Sequence, residues 1–307
     1  MVAGVFLAVT AALLTIGDDR HEPPAATRIL VARAADPSAV VALPHGGFRY
    51  AERLSGRIRE VDGDGRLRPT PVAVVAVRSS PGQRGLLGLA VDDRGTTFAA
   101  WTRRSDGRLV VGRVAPAPNR LVWIGPPSAD LANGGHLAFT TDGRLLIGIG
   151  DLEQPQRKTD RTSPNGKLLT LDPHGRSDQR PEVVSARWNN PYAFTYAHDG
   201  SLWVADNAAG RKPERIGRGD RRDPPMATTG GLRPFAPSAL VPLGKDRLGV
   251  CGYVGRVMRE VRIVGGRPES PGRVLIDRCV IAAAVLADGR VVVTDENAVR
   301  VTVHPMI

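Results

Sequence analysis

Lysine is scarce in this basic chain. Only Lys158, Lys167, Lys212 and Lys245 stand among 42 basic residues, which face 31 acidic ones for a net charge of +11. Aromatic residues make up only 5% of the 307 positions. A nucleic-acid binder gathers its charge on a stripe and interleaves aromatics for stacking. Here the arginines scatter along the chain, mostly in turn-like stretches such as Arg218-Gly-Asp-Arg-Arg222. That pattern argues against DNA or RNA and for a solvated basic surface, with attraction to an acidic envelope partner as its remaining consequence. Cysteine is limited to Cys251 and Cys279, too few for a structural zinc site. Beyond the N-terminus no long stretch is free of Gly or Pro, which excludes a helical bundle. A hydrophobic content of 42% excludes intrinsic disorder. The Gly-x-Ser-x-Gly elbow, the phosphate-binding loop and His-Glu-x-x-His are all missing, so hydrolase and nucleotide chemistry have no motif support.

No apolar run reaches the roughly 20 residues of a membrane-spanning helix. The longest, Val2 to Ile16, has the length of a signal-peptide core, although no positive residue precedes it and no lipid-accepting cysteine follows. Residues 1–20 are therefore expected to be a signal peptide, or a signal anchor if retained. Residues 21–38 then read as a flexible tether and 39–307 as the folded part of a secreted or extracytoplasmic protein. Contact with a membrane is expected only through the uncleaved N-terminal segment. In an oxidising compartment the two cysteines either pair or remain separate buried thiols.

What the chain has in abundance is turns, each followed by a β-rich run. Gly46-Gly-Phe-Arg-Tyr-Ala51, Gly95-Thr-Thr-Phe-Ala-Ala100, Gly143-Arg-Leu-Leu-Ile-Gly148, Gly200-Ser-Leu-Trp-Val-Ala205, Gly244-Lys-Asp-Arg-Leu-Gly-Val250 and Gly289-Arg-Val-Val-Val-Thr294 repeat one pattern. The steps from Gly47 through Gly95, Gly143, Gly200, Gly244 and Gly289 are 48, 48, 57, 44 and 45 residues. Such a period with strand-and-turn content predicts a β-propeller of four-stranded antiparallel blades around a central channel, and six markers predict six blades. Further runs, such as Ser55-Gly-Arg-Ile-Arg-Glu-Val61 and Gly255-Arg-Val-Met-Arg-Glu-Val-Arg-Ile263, lie within hairpin reach of the markers. A pair of β-sandwiches would not explain the even steps. Asp62-Gly-Asp-Gly65 lacks the further ligands of a calcium loop and reads as a hairpin turn. Asp206-Asn207 and Asp295-Glu296-Asn297 close marker strands, where polar residues cap turns or line the channel.

Five segments together resemble the soluble quinoprotein glucose dehydrogenase family, the glucose/sorbosone dehydrogenase domain. They run from Leu43-Pro-His-Gly-Gly-Phe-Arg-Tyr50, through Gly82-Gln-Arg-Gly-Leu-Leu-Gly-Leu-Ala90, to Asn133-Gly-Gly-His136 with Gly148-Ile-Gly-Asp151. Asn165-Gly-Lys-Leu-Leu-Thr-Leu-Asp-Pro173 and Asn189-Asn-Pro-Tyr192 complete them, and the likeness extends over about residues 40 to 300. The resemblance implies an all-β six-bladed propeller that oxidises sugars with pyrroloquinoline quinone (PQQ) and calcium over the channel. A His would be the general base, an Asp its support, and Arg and Lys the partners of the cofactor's carboxylates.

Carried over residue by residue, the supporting acid matches Asp151. The cofactor-side amides match Gln83, Gln156 and Asn190. The position of the base holds Ala132, and that of the arginine before Asn-Pro holds Asn189. The later arginine positions fall at Cys279 and Ile281, and the lysine position at Cys251. His136 is the candidate substitute base, its bland alternative being a histidine packed between blades. By the same carry-over Cys251 and Cys279 sit on adjacent blades at the cofactor side, which implies a disulfide if their Cα atoms lie within about 7 Å. Three functions follow. The first is a degenerate member, a pseudoenzyme that binds a sugar or other small molecule without the quinone reaction. The second is an active dehydrogenase with a substitute base. The third is an interaction propeller of the cell envelope.

Overall fold

Alternation of buried side chains decides how each strand is used. In β11 (Leu145–Ile149), Leu145, Ile147 and Ile149 pack toward the preceding blade, while Leu146 packs toward the following one. Both faces of the strand are apolar because both meet another sheet. The computed structural model describes residues 22–208, 213–220, 226–228 and 235–307. It is a six-bladed propeller, as the repeat predicts.

The first blade comprises β2 (Pro37–Ala42), β3 (Phe48–Glu52), β4 (Arg57–Val61) and β5 (Ala73–Val74). The second comprises β6 (Leu86–Val91), β7 (Thr97–Thr102), β8 (Arg108–Ala115) and β9 (Arg120–Pro127). The third runs through β10 (Gly134–Phe139), β11, β12 (Lys167–Leu171) and β13 (Glu182–Ala186). The fourth runs through β14 (Asn190–Tyr196), β15 (Leu202–Asn207), β16 (Arg215–Arg218) and β17 (Met226–Thr228). The fifth holds β18 (Pro237–Pro242), β19 (Arg247–Gly252), β20 (Val257–Val264) and β21 (Arg267–Pro268), with β22 (Val274–Asp277) also paired to β20.

The sixth blade corrects the expected boundaries. Its strands β23 (Ala283–Val285), β24 (Val291–Thr294) and β25 (Val299–Thr302) are completed by β1 (Thr27–Val31), which pairs antiparallel with β25. The tether expected over 21–38 therefore gives way to sheet from Thr27. The physical reason is closure: a last blade of three strands would leave the backbone of β25 unpaired at an edge. The N-terminal apolar run lies outside the described residues. Among the described residues no helix is long and apolar enough to cross a membrane.

Each of the six interfaces between neighbouring blades carries its own apolar cluster. Stacking is thus what buries a blade, and the ring closes through Val40, Phe48 and Val61 of the first blade against Val31, Val292, Val299 and Val301 of the sixth. The six marker glycines sit in the turn before the second strand of each blade. Gly47, Gly95, Gly143, Gly200, Gly244 and Gly289 all have positive φ, from 76° to 124°, where a Cβ is disfavoured. The repeat visible in the sequence is therefore the repeat of one strained turn. At Asp62–Gly65 the Asp62 carboxylate accepts hydrogen bonds from the Asp64 and Arg66 amides, the hairpin turn expected there. Cys251 of β19 and Cys279, between β22 and β23, form a disulfide with a Cα–Cα separation of 5.3 Å. Both residues are fully buried in the cluster between blades five and six.

Candidate functional site

Six inner strands, β2, β6, β10, β14, β18 and β23, surround the axis, and a cavity of about 650 Å3 opens where they begin. Every blade contributes to its wall. Asp36, Ser38 and Arg53 come from the first, Gln83 and Leu87 from the second, and Leu131 from the approach to the third. Asn190, Tyr192 and Asn207 come from the fourth, Ser238 and Tyr253 from the fifth, and Ile281 and Glu296 from the sixth. Asn207 and Glu296 are the strand-closing polar residues that the sequence offered as channel lining.

Backbone contacts fix the wall. Ser38 Oγ donates to the Leu86 carbonyl at 2.6 Å, and Ser238 Oγ donates to the Val280 carbonyl at 2.7 Å. Each hydroxyl ties the start of one inner strand to the next blade. Asp206, wholly buried, accepts the amides of Asn189 and Asn190 at 2.8 Å each, the Asn189 side-chain amide at 2.9 Å and Arg215 at 2.9 Å. Burial raises its carboxyl above the ordinary value, and these donors with Arg215 oppose that rise. Glu214 does the same for the amides of Phe235 and Ala236, at 2.9 and 2.8 Å, just before β18.

The family-matched positions separate into two groups. Gln83 and Asn190 face the cavity. Gln83 Oε1 accepts the Ala132 amide at 3.0 Å, and Ala132 holds a positive φ of 52° with its carbonyl accepting the Leu152 amide at 3.2 Å. Asn190 Oδ1 is buried without a hydrogen-bond partner among the described residues. Asp151 lies behind the wall, close to Ala132, since a Cβ on the preceding Gly150 would collide with the Ala132 carbonyl. Its amide donates to the Asn189 carbonyl at 2.7 Å, and its carboxylate accepts the Glu153 amide at 3.1 Å. Asn189 turns from the cavity, bonded to Asp206 and accepting Lys158 Nζ at 2.7 Å.

The remaining candidates stand apart. Gln156 is exposed on a short 3-10 helix, Pro155–Thr159, and is not part of the cavity wall. His136 is not part of it either. Its ring packs edge-on against Phe194 of the next blade, with centroids 4.5 Å apart, and bonds to the Phe194 main chain. Burial lowers its pKa to about 4, so the ring is neutral and packed between blades. Ile281 lines the cavity, whereas the Cys251–Cys279 bond lies in the core behind it and does not cross the site.

Sequence reasoning missed Tyr192 and the Asp36–Arg53 pair. Tyr192, on the fourth blade, sends its hydroxyl across the axis to the Ser38 carbonyl of the first, at 3.4 Å. Blades one and four stand opposite in a ring of six, so this side chain bridges the channel below the cavity. Burial pushes its pKa up to about 12, leaving a neutral phenol. Arg53 Nε and Nη2 donate to Asp36 at 2.9 and 2.5 Å, and Nη1 donates to the Gly82 and Arg84 carbonyls at 3.0 Å each. One signal was legible: Pro37-Ser38-Ala39 recurs as Pro237-Ser238-Ala239, and the residues before them, Asp36 and Ala236, both have positive φ.

An all-β ring with a cavity over its axis defines the class. Within that class, the family described as Glucose / Sorbosone dehydrogenase matches residues 34–211. The chain belongs to that family. No curated protein matches the sequence. Among solved structures, it is similar to one assigned as an oxidoreductase (glucose dehydrogenase) of Thermus thermophilus. Identity is 25% and the TM-score 0.73, over 90% of this chain and 99% of that one. The PQQ-bound aldose sugar dehydrogenase of Streptomyces coelicolor shares the fold at 20% identity and TM-score 0.70, over 92% and 99% of the two chains. The apo-form soluble aldose sugar dehydrogenase of Escherichia coli does so at 18% and 0.73, over 90% and 99%.

Proposed function

We propose that this propeller binds a sugar or a similar polyhydroxylated molecule in the axial cavity without carrying out quinone-dependent oxidation. The observation that carries this is Ala132. The position matched to the general base bears a methyl group, which accepts no proton, and its backbone is held by Gln83 and Leu152. His136 does not replace it, because its ring is packed on Phe194 outside the cavity wall.

The lining of the axial cavity does not fit PQQ. PQQ brings three carboxylates, each calling for a cationic partner. Among the described lining residues the cation is Arg53, already engaged by Asp36 and two carbonyls, and Glu296 is paired with Arg256 at 2.7 Å. Among the described residues no three His, Cys, Asp or Glu side chains gather into a metal-holding group, so calcium would have to rest on backbone carbonyls. A neutral polyol suits the wall better. Gln83, Asn190, Asn207 and Glu296 supply polar groups, and Tyr253 offers a flat apolar face. An extracytoplasmic location is supported by the Cys251–Cys279 bond, since such bonds persist in oxidising compartments.

The test is calorimetric titration with a panel of aldoses, followed by PQQ with calcium and a dye acceptor. Sugar binding without quinone uptake or turnover is the expected result. Turnover of any aldose on addition of PQQ would restore the dehydrogenase function and refute the proposal.

A further inference from the structure

A second cleft, of about 350 Å3, lies away from the axis, between the outer strands of blade two and the β11–β12 loop of blade three. Arg108 begins β8 and Pro127 ends β9, so the cleft opens on the face where β6 begins and the axial cavity lies. Arg108, Arg157, Arg161 and Arg180 line it, and none of its described lining residues is acidic. The acids nearby are already engaged. Asp160 accepts Thr162 Oγ1 at 2.7 Å and faces Arg157 at 3.7 Å, Glu182 pairs with Arg144 at 2.7 Å, and Asp178 pairs with Arg176 at 3.2 Å. Arg108 Nε is buried without a hydrogen-bond partner among the described residues. Arg161 and Arg180 are exposed and make no ion pair among the described residues.

The floor has a different character. Trp123 is 4% exposed and packs beneath the cleft against its own strand, where a Cβ on Gly125 would come within 2.6 Å of its ring. Above it the partly exposed Pro126, Pro164 and Pro181 form a rigid apolar surface. A cluster of guanidinium groups over a flat, rigid floor asks for a ligand with anionic groups at its edge and a flat C–H face.

We propose that this cleft binds a carboxylated saccharide. The pyranose ring lies on the proline floor, and its carboxylates meet the forked donors of Arg161 and Arg180, which bind such groups with two parallel hydrogen bonds. An acidic peptide would satisfy the arginines but leave the floor without a matching flat ring. The cleft also concentrates, at one place, part of the excess positive charge that the sequence spreads along the chain. It does not depend on what the axial cavity holds.

The test is titration of the whole protein with a short oligogalacturonate at low salt. Binding is expected to weaken as salt rises. Arg161→Glu and Arg180→Glu should each weaken it by about tenfold or more, the loss of one charge-assisted contact. Arg94→Glu, exposed on the β6–β7 turn at the opposite end of blade two, should leave it unchanged. So should Tyr192→Ala in the axial cavity, which separates a failure here from a failure of the axial site. Thermal melting of each variant checks that the fold is kept. Three results would overturn the proposal: unchanged affinity in both cleft variants, an equal loss in Arg94→Glu, or equally tight binding of polyglutamate or of the methyl-esterified oligomer.

Discussion

Replacing His136 with leucine should change how the propeller responds to acid, in a direction fixed by where the ring sits. In the folded protein burial lowers its pKa from 6.5 to about 4. The unfolded chain therefore takes up the proton first. Stability is complete above the unfolded value of 6.5, declines as the pH falls, and levels off below about 4. At about 1.4 kcal/mol per pH unit the whole window is worth about 3 kcal/mol, of which about 2 is lost by pH 5. His136→Leu removes the titration. It also removes the bond to the Phe194 main chain and alters the edge-on packing, a cost of about 1–2 kcal/mol at neutral pH. The variant should thus be the less stable protein near pH 7.5, and the gap should close or reverse near pH 5. Urea unfolding can be followed by the fluorescence of Trp188 and Trp203, both buried. Carboxylates held low by arginines, such as Asp106 at about 2 beside Arg103, act only below their unfolded value of 3.8 and leave this window clear. Parallel pH profiles for the two proteins would refute the buried-histidine account and reopen His136 as a solvent-reaching base.

The disulfide closes a separation of 28 residues, and on the chain-entropy relation its removal in Cys251→Ala/Cys279→Ala should cost roughly 3.5 kcal/mol, read as a lower denaturation midpoint. A chain beginning at residue 33 lacks β1, so it should expose the edge of β25 and aggregate or unfold. A tether, in contrast, could be removed without effect, and light scattering with circular dichroism distinguishes the two. Tyr192→Phe should cost less than about 1 kcal/mol, since the bond to Ser38 is long at 3.4 Å. Tyr192→Ala should open the channel and weaken sugar binding in the axial cavity at least about tenfold; an unchanged titration would remove Tyr192 from the site.

The propeller was legible because its signal is geometric and local. Six turns demand a backbone that glycine adopts readily, and the runs after them alternate or are apolar on both faces, as stacked blades require. The closing strand was not legible. Thr-Arg-Ile-Leu-Val at 27–31 alternates its exposure, and its partner lies at the far end of the chain. Within the site, Gln83 and Asn190 could be placed because they adjoin rigid Gly-rich and Asn-Pro segments. Gln156 could not, because a 3-10 helix carries it outward. Tyr192 and the Asp36–Arg53 pair join residues across blades, and spacing along one chain does not reveal which side chains meet over an axis.

The cavity can keep its form while its chemistry changes because the form is held by backbone atoms. Asp206 grips the amides of Asn189 and Asn190, so that corner stands whatever side chain residue 189 carries. Gln83 grips the Ala132 amide, so the loop before Asn133 stands without a side chain beyond Cβ at 132. The six apolar clusters that stabilise the ring lie between blades, and His136 is tied to one of those interfaces through Phe194. A substitution of a group that points into the cavity therefore removes little stability, whereas one in a blade interface removes several kcal/mol. On this basis Ala132→His should be tolerated by the fold, because Ala132 is only partly buried and belongs to none of the apolar clusters. Whether that one side chain brings quinone-dependent turnover would then depend on charge. With Arg53 held by Asp36, the expected result is none.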